Sequence, residues 1–174
     1  MPLVNTRVFT CGTIDALNAH RDESMEIDVL HLGGVCFSIT CRGHRVICDQ
    51  PPEKGGTDSG MTPPELLLSS LGSCAAYYAH DYLKARSLPA TGISVKVTAE
   101  KAASPSRLDH FHIAVALPHL LDERHARGLK ASVERCLIHN TLLHPPSIRV
   151  AILAPGGTPA AAQKEEDQWT QPNK

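Results

Sequence analysis

The amino-acid sequence predicts an α+β domain over residues 1–155, followed by a polar tail over 156–174. Three observations carry that prediction. Short β-branched runs broken by Gly-Gly and Arg-Gly turns come first. A long apolar run with a capped helical start follows, and then a strand pair, an amphipathic helix and a last strand. Strands and helices grouped in this way, rather than strictly alternating, belong to the α+β class.

The first group begins with residues 25–33, MEIDVLHLG, and 35–41, VCFSITC, which are β-rich and partly alternating. Gly33-Gly34 between them supplies the positive φ of a tight hairpin turn. A second turn at Arg42-Gly43 leads into residues 44–49, HRVICD, which completes a three-stranded meander. Before it, LVNTRVFT reads as a further edge strand.

QPPEKGGTDSGMTPPE is dense in Gly, Pro, Asp and Thr and reads as a loop that ends in a helix start. Thr62 suits the N-cap and Pro63 the first helical position, and Glu65 can reach back to the cap's N–H. The helix is expected to run to about Arg86 and to stop before Pro89 and Gly92. Its charges, Asp81, Lys84 and Arg86, gather near the end, so burial on nearly all sides is expected.

Residues 93–103, ISVKVTAEKAA, alternate as a strand, and SPSR turns into a partner over 108–118, LDHFHIAVALP. Residues 122–140 read as one amphipathic helix with Leu129, Val133 and Cys136 on one side. Residues 146–155, PSIRVAILAP, read as the final strand. After Gly156 small, polar and charged residues predominate, as in a disordered tail, and the Lys164–Asp167 charge run reads as part of it.

Composition excludes several classes. Seventeen basic residues against eighteen acidic ones leave no basic footprint for nucleic acid. No apolar run reaches the length of about 18 residues that spans a bilayer. The N-terminus lacks the basic start, apolar stretch and small-residue cleavage site of a secretory signal, which points to the cytoplasm. Six scattered cysteines without a C-x-x-C pair support neither a disulfide scaffold nor a zinc ribbon.

Cys74 and Cys136 are the leading candidates for chemistry. They stand 62 residues apart, so only the tertiary fold can bring them together. A thiol attacks as its thiolate, of which an unperturbed cysteine carries about a few per cent at neutral pH. Reaction with a peroxide gives a sulfenic acid, which a second thiol converts to a disulfide. The alternative is that both are small buried hydrophobes. Leu67, Leu71, Cys74, Tyr78 and Tyr82 share one helical stripe, so Cys74 faces apolar surroundings that oppose ionisation unless a cation or donor intervenes. The helix N-terminus lies about three turns away, too far for its dipole to help. Gly72-Ser73 either thins the helix for a ligand or permits close packing.

Other motifs are weaker. His110 and His112 are two apart on one strand face, but no third metal ligand is evident. KGGTDSG lacks the Lys-Ser/Thr ending of a phosphate loop. Tyr77, Tyr78 and Tyr82 either line a pocket or fill the core.

DQPPEKGGTDSGMTPPELLLSSLGSCAAYYAHDYL, with the later VERCLIHNTLLHPPSIRV, resembles the OsmC/Ohr family over roughly residues 25–153, and its broader OsmC-like branch more than a typical Ohr. The resemblance implies an OsmC-like fold with strongly curved antiparallel sheets around two long central helices, assembled as an intertwined homodimer with sites at the interface. It implies cysteine-dependent reduction of hydroperoxides without a metal or organic cofactor, Cys74 attacking and Cys136 resolving through a disulfide. It also implies an arginine near the first hairpin and a glutamate at the helix start that orient the attacking thiol. Ungapped registration puts Gly33-Gly34 and Pro64 at those positions, so Arg42 or Arg45 and Glu65 are the neighbours that would take the roles. Glu65 has the competing role of capping-box residue.

Two functions follow as expectations. One is a thiol peroxidase acting on organic hydroperoxides, whose organic group Leu71 and Tyr78 would line, with an unidentified dithiol as reductant. The other is a non-catalytic protein of the same fold that binds a small apolar ligand at the dimer interface, its cysteines serving only as lining. Neither a nucleic-acid nor a membrane partner is expected.

Overall fold

Three antiparallel strands open the computed structural model, which describes residues 25–153: β1 (Asp28–Gly33), β2 (Cys36–Cys41) and β3 (His44–Cys48). They form the expected meander in the order β1-β2-β3, with Val29 opposite Ile39 and Ile39 opposite Val46. Gly33 and Gly34 turn the first hairpin at φ 125° and 56°, values that only glycine adopts readily. The edge strand expected before residue 24 and the tail expected from residue 156 lie outside the described residues.

After β3 the chain enters a loop that one carboxylate organises. Asp49 is 1% exposed and accepts from the N–H groups of Gln50, Thr57 and Ser59 at 2.8, 3.0 and 3.1 Å. The hydroxyls of Thr57 and Ser59 donate to it as well, at 2.8 and 2.9 Å. A short 3₁₀ turn, Pro52–Lys54, lies inside the loop. Gly56 crosses so near the chain that a Cβ there would stand 1.7 Å from the Gln50 carbonyl oxygen. Met61 then forms a parallel bridge to Cys48, and the helix begins.

The helix α1 (Pro63–Lys84) starts as the cap motif predicts. The Thr62 N–H and hydroxyl both donate to the Glu65 carboxylate, at 2.7 and 2.8 Å, and Leu66 N–H donates to the Thr62 carbonyl. The described residues divide into two units at Leu67–Leu68, within this helix. The meander, the loop and the helix start belong to the first. The rest of α1 and everything after it belong to the second.

In the second unit β4 (Ser94–Ala103) and β5 (Ser106–Ala116) form a long antiparallel hairpin turned at Ser104-Pro105. Alternation along both strands sends Val95, Ile113 and Val115 towards the core. There they meet Ala75, Ala79, Tyr82 and Leu83 of α1, with Leu129 and Val133 of α2 (Glu123–Val133). Asp122 caps α2 by accepting the His125 N–H at 2.7 Å. A seven-residue helix, α3 (Leu137–Leu143), follows. Among the described residues no helix is long and apolar enough to cross a membrane.

Three expectations are corrected. The single helix over 122–140 is two, so the fold has one long helix of 22 residues rather than two long ones. The last turn of α2 tightens to i→i−3 bonds, Arg135 to Ser132 and Cys136 to Val133, and a Cys136 ψ of 134° ends it. The final strand is absent from residues 146–153 because no described segment pairs with it, and Ile148, Val150 and Ile152 stand 83, 87 and 96% exposed. Burial of α1 on nearly all sides is replaced by burial of one stripe: Tyr77 is 65% exposed, whereas Leu71, Ala75, Ala79 and Leu83 are closed.

Asp49→Asn removes the charge on which the loop's donors converge. The expected outcome is a fall in thermal midpoint on the order of 10 °C, measured by circular dichroism. These bonds, the Ser59 N–H foremost, hold the Asp49 carboxyl well below the usual carboxylate range. Its contribution is therefore complete above the unfolded value of about 3.9 and is lost as pH falls through the depressed folded value. The parent should lose stability below about pH 4, and the variant should show a flatter acid limb. An acid limb identical in both would rule the carboxylate out as the loop's anchor.

Candidate active site

Cys74 sits in the middle of α1, on the turn that carries buried Leu71 and Ala75, and is itself partly exposed. The helix is continuous through Gly72-Ser73. A Cβ at Gly72 would come within 3.1 Å of Val97 Cγ2, so that glycine serves the close packing of α1 on β4. Ser73 turns its hydroxyl back to the Ser70 carbonyl at 3.1 Å.

Cys136 occupies the break between α2 and α3, as the residue that caps α3, and is 0% exposed. Its thiol neighbours the Cys74 thiol closely enough to be perturbed by it. Two cysteines far apart in sequence are thus in contact inside the second unit, both as free thiols. Burial pushes the Cys136 thiol above its ordinary value, and the hydrogen bond with Cys74 pushes it the same way. The N–H groups of His139 and Ile138 favour its thiolate, but neither aligns well enough to close a cap hydrogen bond to the sulfur. Desolvation and the neighbouring thiol outweigh them, so the protonated form of Cys136 is favoured.

The scaffold around this contact is close-packed. Ser132 Oγ donates to the Tyr78 carbonyl at 3.2 Å, tying α2 to α1 beside the thiols. Tyr82 lies over Gly128, where a Cβ would stand 2.1 Å from the phenol oxygen. The Tyr82 hydroxyl is 3.4 Å from His125 Nδ1, and the Arg86 guanidinium covers its ring at 3.7 Å. Tyr82 is therefore core, whereas Tyr77 and Tyr78 meet edge to face, the one exposed and the other half-buried. Two clefts flank the unit. One of about 390 Å³ runs between α1 and β4 along Leu68, Gly72 and Val95. The other, of about 410 Å³, lies over Ile113, Leu129, Val133 and His139. Neither is lined by Cys74, Leu71 or Tyr78.

The polar residues expected to assist the thiol lie in the first unit, each with local features of its own. Glu65 holds the cap of α1 through Thr62. Arg45 donates through Nε to Ser38 Oγ at 2.9 Å. Arg42 occupies the β2–β3 turn at φ 49° and lines a surface cleft with Met25, Ile27 and Asp28. His110 and His112 project from β5 as exposed side chains beside a bulge, where His110 takes a φ of 49°. Among the described residues no group of three or more His, Cys, Asp or Glu side chains is placed to hold a metal. Asp49 was not singled out by sequence reasoning. Its signal was an aspartate at a strand end with a Thr-Asp-Ser run eight residues on.

A family model described as OsmC-like protein matches residues 56–151. No curated protein matches the chain. Among solved structures, the chain is similar to a Psychrobacter arcticus protein named for osmotic-stress induction and a detoxification response. Identity is 22% over 70% of this chain and 90% of the other, with a TM-score of 0.64. An OsmC-like protein from Mycoplasma pneumoniae matches at 20% identity over 71% and 90%, with a TM-score of 0.58. An organic hydroperoxide resistance protein OsmC from Legionella pneumophila matches at 19% identity over 70% and 90%, with a TM-score of 0.50. At these identities the likeness is one of fold.

The geometry makes the two thiols unequal toward reagents in the native state. Iodoacetamide should alkylate Cys74 faster than Cys136 by about tenfold or more at neutral pH, read by peptide mass spectrometry. Labelling of Cys136 should rise only above the ordinary thiol range, because burial raises its value. Equal rates at both sulfurs would refute the buried, protonated state of Cys136.

Proposed function

The chain belongs to the OsmC-like protein family, and from that premise we propose that it is a cysteine-dependent reductase of organic hydroperoxides. The observation that carries the reading is the pairing of Cys74, partly exposed, with Cys136, closed to solvent and raised in part by Cys74. Cys74 is the sulfur a peroxide can reach, and Cys136 is the thiol waiting behind it. The Legionella relative's name, organic hydroperoxide resistance protein, points the same way.

In the proposed cycle the Cys74 thiolate attacks the outer peroxide oxygen. The O–O bond breaks and leaves a sulfenic acid on Cys74, and the departing alkoxide takes a proton to become the alcohol. Cys136 then attacks that sulfur, expelling water and forming the Cys74–Cys136 disulfide. A dithiol returns both cysteines to the reduced state. Leu71 is closed at 1% exposure, which corrects the expectation that it lines the site. The organic group would lie instead on the open side of α1, beside Cys74 and half-buried Tyr78. Burying about 60 Å² of it at about 25 cal/mol per Å² gives ~1.5 kcal/mol, or roughly tenfold in rate over hydrogen peroxide. Glu65 and Arg45, the expected assistants of the thiol, have local partners in Thr62 and Ser38.

We further infer that the working form is a homodimer. The support is the exposed apolar residues at β1, Ile27 just before it and Val29 and Leu30 on its two faces at 60, 61 and 66% exposure, together with the exposed alternation of Ile148, Val150 and Ile152. A second copy would cover both.

The alternative expected from the sequence, a binding protein whose cysteines only line a pocket, draws on one observation: the Glu65 carboxylate is engaged at its own helix cap. Kinetics separate the two. With dithiothreitol as reductant, the chain should consume cumene hydroperoxide catalytically, about tenfold faster than hydrogen peroxide. Cys74→Ser should abolish turnover. Without dithiothreitol, Cys136→Ser should consume one equivalent of peroxide to give sulfenic acid on Cys74 and a second to give sulfinic acid. Undiminished peroxide beside persistently free thiols would sink the enzyme reading and leave the binding one. Light scattering with size-exclusion chromatography should give twice the chain mass; a monodisperse single-chain mass at micromolar concentration would defeat the dimer.

A further inference from the structure

We propose that the reductant returns the oxidised pair to dithiol by attacking the sulfur of Cys74 and never that of Cys136. The inference rests on the Cys74–Cys136 disulfide of the preceding reading but not on its peroxide step. Thiol–disulfide exchange is an in-line displacement, in which the incoming thiolate approaches one sulfur from the side opposite the other. Two sulfurs therefore offer two directions of attack, and the fold leaves only one open.

Cys136 is 0% exposed within a single chain, closed by the subunit's own residues at the α2–α3 break. Adding a second copy can only remove further surface, so no assembly uncovers it. Cys74 is partly exposed on α1, beside exposed Ser73 and Tyr77. An external thiolate thus forms its new S–S bond to Cys74. The old bond breaks with its electron pair on Cys136, and a mixed disulfide remains on Cys74. The N–H groups of Ile138 and His139 face the departing sulfur, and Cys136 then takes up a proton. The second thiol of a dithiol reductant attacks the mixed disulfide at the reductant's own sulfur. Cys74 is released as a thiolate and the reductant leaves as a cyclic disulfide.

The test uses the full chain with the disulfide formed by diamide, so it can be run whether or not peroxide is turned over. Glutathione is added in excess, the mixture is quenched in acid within seconds, and free thiols are alkylated with N-ethylmaleimide. Peptide mass spectrometry then locates the glutathione. At least about tenfold more adduct is expected on Cys74 than on Cys136, with the maleimide on Cys136. Adduct mainly on Cys136, or shared equally, overturns the proposal. So does failure of diamide to join the two cysteines. Loss of peroxide consumption alongside a Cys74 adduct would remove the peroxidase reading and leave this assignment standing.

Discussion

The close approach of α1 to α2 is the constraint on which the thiol pair depends. Ala75 and Ala79 are both fully buried and meet Leu129 and Val133 within one cluster. The separation of packed helices follows the size of the side chains at the contact, and alanine allows the near end of that range. The same closeness appears where Tyr82 lies on Gly128, a position with no room for a Cβ. Cys74 precedes Ala75 and Cys136 lies three residues past Val133, so the small residues that set the packing also set where the sulfurs meet.

What could be read from the sequence was what is decided locally. The cap of α1 was legible because Thr62, Pro63 and Glu65 act within one turn. The meander was legible because Gly33-Gly34 and Arg42-Gly43 have turn chemistry on either side of alternating runs. The break at residues 134–136 was not, since neither glycine nor proline marks it and both halves keep helical periodicity. The contact between Cys74 and Cys136 is a tertiary event, and only the family resemblance anticipated it. Asp49 was hidden for a similar reason, because its partners Thr57 and Ser59 resemble ordinary loop residues until the carboxylate gathers them.

Within the second unit, Cys74 is the side chain that bears on the ionisation of Cys136. Glu65 and Arg45 have structural partners of their own, Thr62 and Ser38. The two sulfurs sit in different surroundings, Cys136 buried and Cys74 partly exposed. The break in the second helix gives that division a structural basis. It places Cys136 on a non-helical residue, closed to water, while Cys74 keeps a regular helical backbone and some exposure.

Asp49 has a consequence for how this chain can vary. Three N–H groups and two hydroxyls from three residues converge on its carboxylate, and Gly56 passes against the Gln50 carbonyl in the same loop. Loops ordinarily tolerate substitution and insertion because little holds them. Here positions 49, 56, 57 and 59 are physically coupled, so a substitution at one strains or unpairs the others, whereas the outward-facing Glu53 and Lys54 are free of that constraint.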